Sequence, residues 1–76
     1  MSQLPTIQSG ASGDPVARAQ GLLRADARTE YTDATLPIDG SFGPVTQQAV
    51  EAFQKSSSLT VDGVVGPMTW QTLLGL

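Results

Sequence analysis

Ile38-Asp39-Gly40-Ser41-Phe42-Gly43-Pro44-Val45-Thr46 returns later in the chain as Val61-Asp62-Gly63-Val64-Val65-Gly66-Pro67-Met68-Thr69. The aspartate, both glycines, the proline and the threonine keep one constant offset between the copies. Each copy reads as a tight turn that launches a helix. Asp can hydrogen-bond its own backbone two residues on, and the glycine after it tolerates positive φ. Gly-Pro then supplies an N-cap, Gly43 or Gly66, and a first helical residue whose missing N–H costs nothing. Thr46 and Thr69 fall at the third helical position, where a side chain reaches back to the turn.

Outward from the first copy, the spacing predicts helix 2 over about 44 to 54, with Val45, Ala49, Val50 and Phe53 facing inward. Lys55-Ser56-Ser57-Ser58 ends it, and Leu59 re-enters the core. The second copy starts helix 3 at Pro67, with Met68, Trp70, Leu73 and Leu74 as its apolar residues and Gly75 as its stop, so about 67 to 74. Upstream, residues 1 to 12 read as an extended arm. Asp14-Pro15 is a helix start with Asp14 as the N-cap acceptor. Val16, Ala19, Leu23 and Ala27 follow at helical spacing, flanked by Gln20 and Leu22, which places helix 1 over about 14 to 27. Gly21 inside it costs up to about 1 kcal/mol relative to alanine, and a close helix–helix approach would be a reason to keep it. Residues 28 to 37 read as a polar loop carrying the single tyrosine. The residues before each Asp-Gly are extended without forming a sheet. The expected architecture is all-α, a compact three-helix bundle in one domain, 1–76.

Bulk properties narrow the function. A chain of 76 residues buries only about 60% of its unfolded surface. With no cysteine to staple it and no histidine for a metal, its stability must come from aliphatic packing. A net charge of −3 lacks the basic face that nucleic acid or an anionic membrane surface requires. No apolar run reaches membrane-spanning length, and Met1-Ser2-Gln3-Leu4-Pro5 carries no legible signal peptide. Each turn holds one aspartate without a second acidic ligand, so calcium is not expected. Histidine and cysteine triads and zinc hydrolase sites are excluded, and Asp39, Asp62 and Glu51 are each explained by a turn or a solvated helix face. No enzyme activity, metal or cofactor is expected.

The chain resembles the peptidoglycan-binding domain family, small three-helix modules often attached to bacterial cell-wall hydrolases. The resemblance is carried by Gly13-Asp14-Pro15-Val16 with Gln20 and Leu23, by Asp39 to Val50 with Phe53-Gln54, and by Leu59 with Asp62 to Trp70 and Leu73. It extends from about Ile7 to Leu76. Three features depart from the family pattern: Ala19 stands where leucine is common, Ser58 where glycine usually precedes Leu59, and Arg28 to Leu36 form a polar connection of unfamiliar content. The resemblance implies a non-catalytic module that binds peptidoglycan, through glycan or stem peptide, and anchors a partner hydrolase or a phage or secretion assembly. It implies a location at the cell wall, in the periplasm or outside the cell. A second reading stays open, in which the same scaffold binds protein or assembles with itself, although nothing in the sequence calls for a homo-oligomer.

Candidate ligand-binding residues follow from exposure and chemistry. Open N–H groups at a helix start favour a carboxylate, which points to Asp39, Ser41, Gly43 and Thr46 around the first turn. Arg24 and Arg28 lie four apart on one face and could grip stem-peptide carboxylates bidentately. Tyr31 and Phe42 are the candidate aromatic surfaces, and Gln47 can exchange hydrogen bonds with sugar hydroxyls. Trp70 and Phe53 read as core. Because the second copy carries Val64-Val65 where the first carries Ser41-Phe42, the first is expected to face the ligand and the second the core.

Overall fold

The computed structural model describes residues 4–26 and 35–75. Three helices account for its regular structure: α1 Asp14–Ala25, α2 Pro44–Ser56 and α3 Pro67–Leu74. The all-α three-helix architecture is the one expected, and no named strand occurs among the described residues. Helix α1 packs against both α2 and α3. Ala19, fully buried on α1, takes part in a core that also holds Val16, Leu23, Leu36, Val50 and Phe53.

The helix starts follow the Gly-Pro logic, with Gly43 and Gly66 as N-caps and proline in the first turn of each helix. At α1 the expectation was off by one residue. Gly13 is the N-cap and Asp14 is already helical, with no side-chain cap bond. The Gly13 carbonyl accepts the N–H groups of Val16 at 3.1 Å and Ala17 at 3.2 Å, so the backbone starts the helix. Asp14 is left in the first turn, where a negative charge favours the dipole. The helix ends at Ala25 rather than 27, and α2 runs on to Ser56 rather than 54.

The arm is more than an extended lead-in. Its first half pairs with the second repeat, where Ile7 and Val65 exchange N–H···O bonds of 3.1 and 2.8 Å. Its second half pairs with the first repeat, where Gly10 N–H donates to the Phe42 carbonyl and Phe42 N–H to the Ala11 carbonyl, each at 3.0 Å. Gly13 N–H adds a 2.8 Å bond to the Gly40 carbonyl. Phe42 and Val65 occupy equivalent positions in the two copies, and both side chains sit in the core. The Trp70 indole N–H donates to the Pro5 carbonyl at 2.8 Å, which ties α3 to the same arm. Trp70 and Phe53 are core residues, as expected.

The expected inward position of Val45 is corrected. Val45 and Met68 are 47% and 63% exposed, because the second helical residue of each repeat faces away from the core. Leu74 is also exposed. Gly21 does not mark a helix crossing; a Cβ there would meet the Ile38 side chain at 3.6 Å, an ordinary contact.

Gly40 and Gly63 share φ +72, the left-handed conformation that each Asp-Gly turn requires. Ser58 is the one described non-glycine residue with positive φ, at 59, and it follows the C-cap of α2, Ser57. Replacing Ser58 by Gly relieves that conformation and should raise stability by up to about 1 kcal/mol. Replacing Gly63 by Ala should lower it by about 1–2 kcal/mol. The new Cβ would be strained and would stand 3.1 Å from Gln47 Cγ and 3.2 Å from a Glu51 carboxylate oxygen. Urea unfolding of the two variants checks both signs.

Candidate functional site

A glutamine in the apolar stripe of a helix must find partners for its amide once it is buried. Gln20 on α1 and Gln54 on α2 are both fully buried, and each locks the turn that follows its helix. Gln20 Oε1 accepts the backbone N–H groups of Asp39 at 3.1 Å and Gly40 at 3.0 Å. Its Nε2 donates to Asp39 Oδ1 at 3.0 Å, to the Ser41 carbonyl at 3.1 Å and to Thr46 Oγ1 at 3.0 Å. Gln54 repeats the pattern atom for atom. Its Oε1 accepts from Asp62 and Gly63, each at 3.1 Å. Its Nε2 donates to Asp62 Oδ1 and the Val64 carbonyl, each at 2.9 Å, and to Thr69 Oγ1 at 3.2 Å. One amide carries two protons, so three acceptors share them.

Each aspartate also closes its own turn. Asp39 Oδ1 accepts Ser41 N–H, and Asp62 Oδ1 accepts Val64 N–H, both at 3.0 Å. These backbone N–H bonds, reinforced by the glutamine amides, hold both carboxyls below the usual carboxylate value. The aspartates thus act as local fasteners. No buried side-chain polar atom lacks a partner among the described residues.

Beside each locked turn lies an open cleft. The first, about 210 Å³, is lined by Pro37, Asp39, Ser41, Gly43, Pro44, Val45 and Thr46. The second, about 460 Å³, is lined by Thr60, Asp62, Val64, Gly66, Pro67, Met68 and Thr69, and extended by Gln54, Ser58 and Leu59. Every residue lining the first cleft has its repeat counterpart in the second, from Pro37 and Thr60 to Thr46 and Thr69. The residues exposed beside them also recur in pairs: Ile38 with Val61, and Val45 with Met68. Among the described residues, no lysine or arginine lines either cleft.

Of the candidate residues, Asp39, Ser41, Gly43 and Thr46 come together at the first cleft. The Thr46 hydroxyl, however, is buried and held by Gln20. Phe42 is corrected outright: it is 2% exposed, because the arm bonds its backbone on both sides and turns its ring into the core. Gln47 is directed elsewhere; its amide donates to Glu51 Oε2 at 3.3 Å, and its stem lies against the second turn at Gly63. Arg24 sits in the last turn of α1, apart from the cleft linings. Arg28 and Tyr31 lie outside the described residues. The expectation that the second copy is committed to the core holds for Val65, whereas Val64 lines the larger cleft. Gln20 and Gln54, absent from the candidate residues, are the side chains that build both turns. Their signal was positional, since Val16/Gln20 and Val50/Gln54 stand four apart on buried stripes.

Among the described residues there is no group of three or more acidic residues, histidines or cysteines that could hold a metal ion. Among the described residues, no helix is long and apolar enough to cross a membrane.

Comparison with known proteins gives one family: the model described as "Putative peptidoglycan binding domain" matches residues 12–73. No curated protein matches the chain. Among solved structures, the SleB N-terminal domain is 34% identical with a TM-score of 0.81, covering 96% of this chain and 93% of that one. A peptidoglycan-binding protein from Clostridioides difficile, solved with glutamine hydroxamate, is 38% identical with a TM-score of 0.81. The match covers 96% of this chain and 42% of that protein. The endolysin of Burkholderia phage AP3 is 38% identical with a TM-score of 0.79, over 91% of this chain and 24% of the endolysin. The chain therefore spans less than half of the last two.

The locks predict two measurements. Gln20→Leu and Gln54→Leu each strand two backbone N–H groups and further acceptors, and should each lower stability by about 2–4 kcal/mol in urea unfolding. The aspartates predict a pH dependence. Because their folded pKa values are depressed, their stabilisation is present in full above the ordinary carboxylate range. It is lost as pH falls through that range toward the folded values. Asp39→Asn with Asp62→Asn keeps an acceptor in each turn and should flatten the stability profile between about pH 5 and pH 3 relative to the parent chain.

Proposed function

Because the chain belongs to the peptidoglycan-binding domain family, we propose that it is a non-catalytic module that binds peptidoglycan and holds a partner enzyme or assembly at the bacterial cell wall. The observation that carries this reading is the pair of clefts beside the two locked turns, set within the matched residues 12–73. Locked turns are preorganised, so little ordering entropy is lost when a ligand enters. Each cleft mixes proline and aliphatic surface with an exposed carboxylate and backbone polar groups, a lining suited to sugar or peptide. Asp39, Ser41 and Gly43 are the candidate contacts at the first cleft. The carboxylates serve the turns, and the chemistry of wall cleavage belongs to a partner. The working location is the wall, the periplasm or the extracellular side.

Sedimentation with purified insoluble peptidoglycan tests the proposal. The folded chain should pellet with the wall material and be released by soluble muropeptides. Recovery of all folded protein in the supernatant would sink it.

A further inference from the structure

The two clefts occupy matching positions in the two repeats. All seven positions lining the first recur in the second, and the flanking residues Ile38 and Val61 are about half exposed in both copies. A core would have hidden such residues, and a purely architectural turn has no need of them in both places. The second copy is the roomier, at about 460 Å³ against about 210 Å³, because Ser58 and Leu59 extend its wall.

The lining states what would enter. Met68, Pro67 and Leu59 form an apolar lip. Asp62 Oδ1 is taken by Gln54 and Val64, while the exposed carboxylate retains its other oxygen as an acceptor for a ligand N–H or O–H. The first turn of α3 carries no side-chain cap, so no side chain competes for its leading N–H groups. Donor, acceptor and apolar lip together match an acetamido group, which has one C=O, one N–H and one methyl. Charge decides between the two wall components. Among the described residues neither cleft is lined by a lysine or arginine, each is lined by a carboxylate, and the chain carries a net −3. Stem-peptide carboxylates are repelled there, whereas an uncharged N-acetylated sugar is not. A ligand that repeats along a strand also suits a surface that repeats along the chain.

Resting on the reading of the chain as a peptidoglycan-binding module, we infer that the second-repeat cleft is a ligand site in its own right. It takes an N-acetylated sugar residue of the glycan, so that the chain carries two equivalent glycan subsites. The test follows backbone amides by NMR during titration with the N-acetylglucosamine tetramer, with cellotetraose, which lacks the acetamido group, and with a sugar-free stem peptide. The tetramer should shift the amides of residues 39–46 and of residues 62–69, and the other two probes should leave both sets in place. Met68→Glu and Val45→Glu each put a charge across one cleft at an exposed second helical position, where an acid favours the helix. Met68→Glu should abolish the second set of shifts alone, Val45→Glu the first alone, and each should weaken retention on insoluble peptidoglycan by about tenfold. Shifts confined to residues 39–46, or shifts at 62–69 driven by the stem peptide or by cellotetraose, would overturn the inference. So would retention on the wall with no shift from the tetramer, an outcome that leaves peptidoglycan binding itself standing. Loss of wall retention in the parent chain would remove both readings, and the sedimentation assay identifies that case separately.

Discussion

Two buried glutamine amides hold this small protein in shape. Each one spans a helix and the turn that follows it, and each satisfies two backbone N–H groups, a carbonyl, a carboxylate and a hydroxyl at distances of 2.9–3.2 Å. An amide of this kind is worth much more in place than its average bond suggests, because removing it takes a partner from five groups at once, the Thr46 or Thr69 hydroxyl being buried. Tight turns ordinarily rely on local bonds. Here the local Asp bond to the residue two positions on is backed by a side chain from a helix, so turn and helix form as one unit.

That constraint sets the position of everything downstream. Once Gly40 and Gly63 are fixed at their left-handed angles, the following residues, Ser41-Phe42 and Val64-Val65, run against the arm. Phe42 and Val65 are thereby turned into the core, and Gly-Pro starts the next helix in a fixed direction. The arm links the two units by bonding Val65 with Ile7 and Phe42 with Gly10 and Ala11. A chain with no cysteine and no histidine thus gains a continuous core from two copies of one device and a strap.

Function follows from what the device leaves exposed. The interior face of each turn is consumed by the lock, and the carboxylate is already a fastener. The outer face carries the cleft, and its seven positions recur between copies, four with the same residue and three with a different one. A binding surface that rides on a folding unit is duplicated whenever the unit is. This links the repeat to recognition more directly than any single residue does.

Much of this was legible in the chain itself. Asp-Gly and Gly-Pro dictate turn and helix start because their backbone preferences act over a few residues, and the starts of α2 and α3 fall at Pro44 and Pro67 accordingly. Local chemistry could not say which way the residues between would face. Phe42 looked like a surface aromatic and Val45 like a core aliphatic, and the two are the other way round because the arm, distant in sequence, captures the Phe42 backbone. The same limit hid Gln20, whose partners begin 19 residues away. What the sequence determined by itself was the repeated unit, its helices and its family, since these rest on short-range backbone preferences and motif spacing. What only the tertiary structure decided was that two helix-borne amides lock the turns and that two matching clefts open beside them. Hydrogen-bond partners and surface exposure are properties of segments brought together, and no local stretch encodes them.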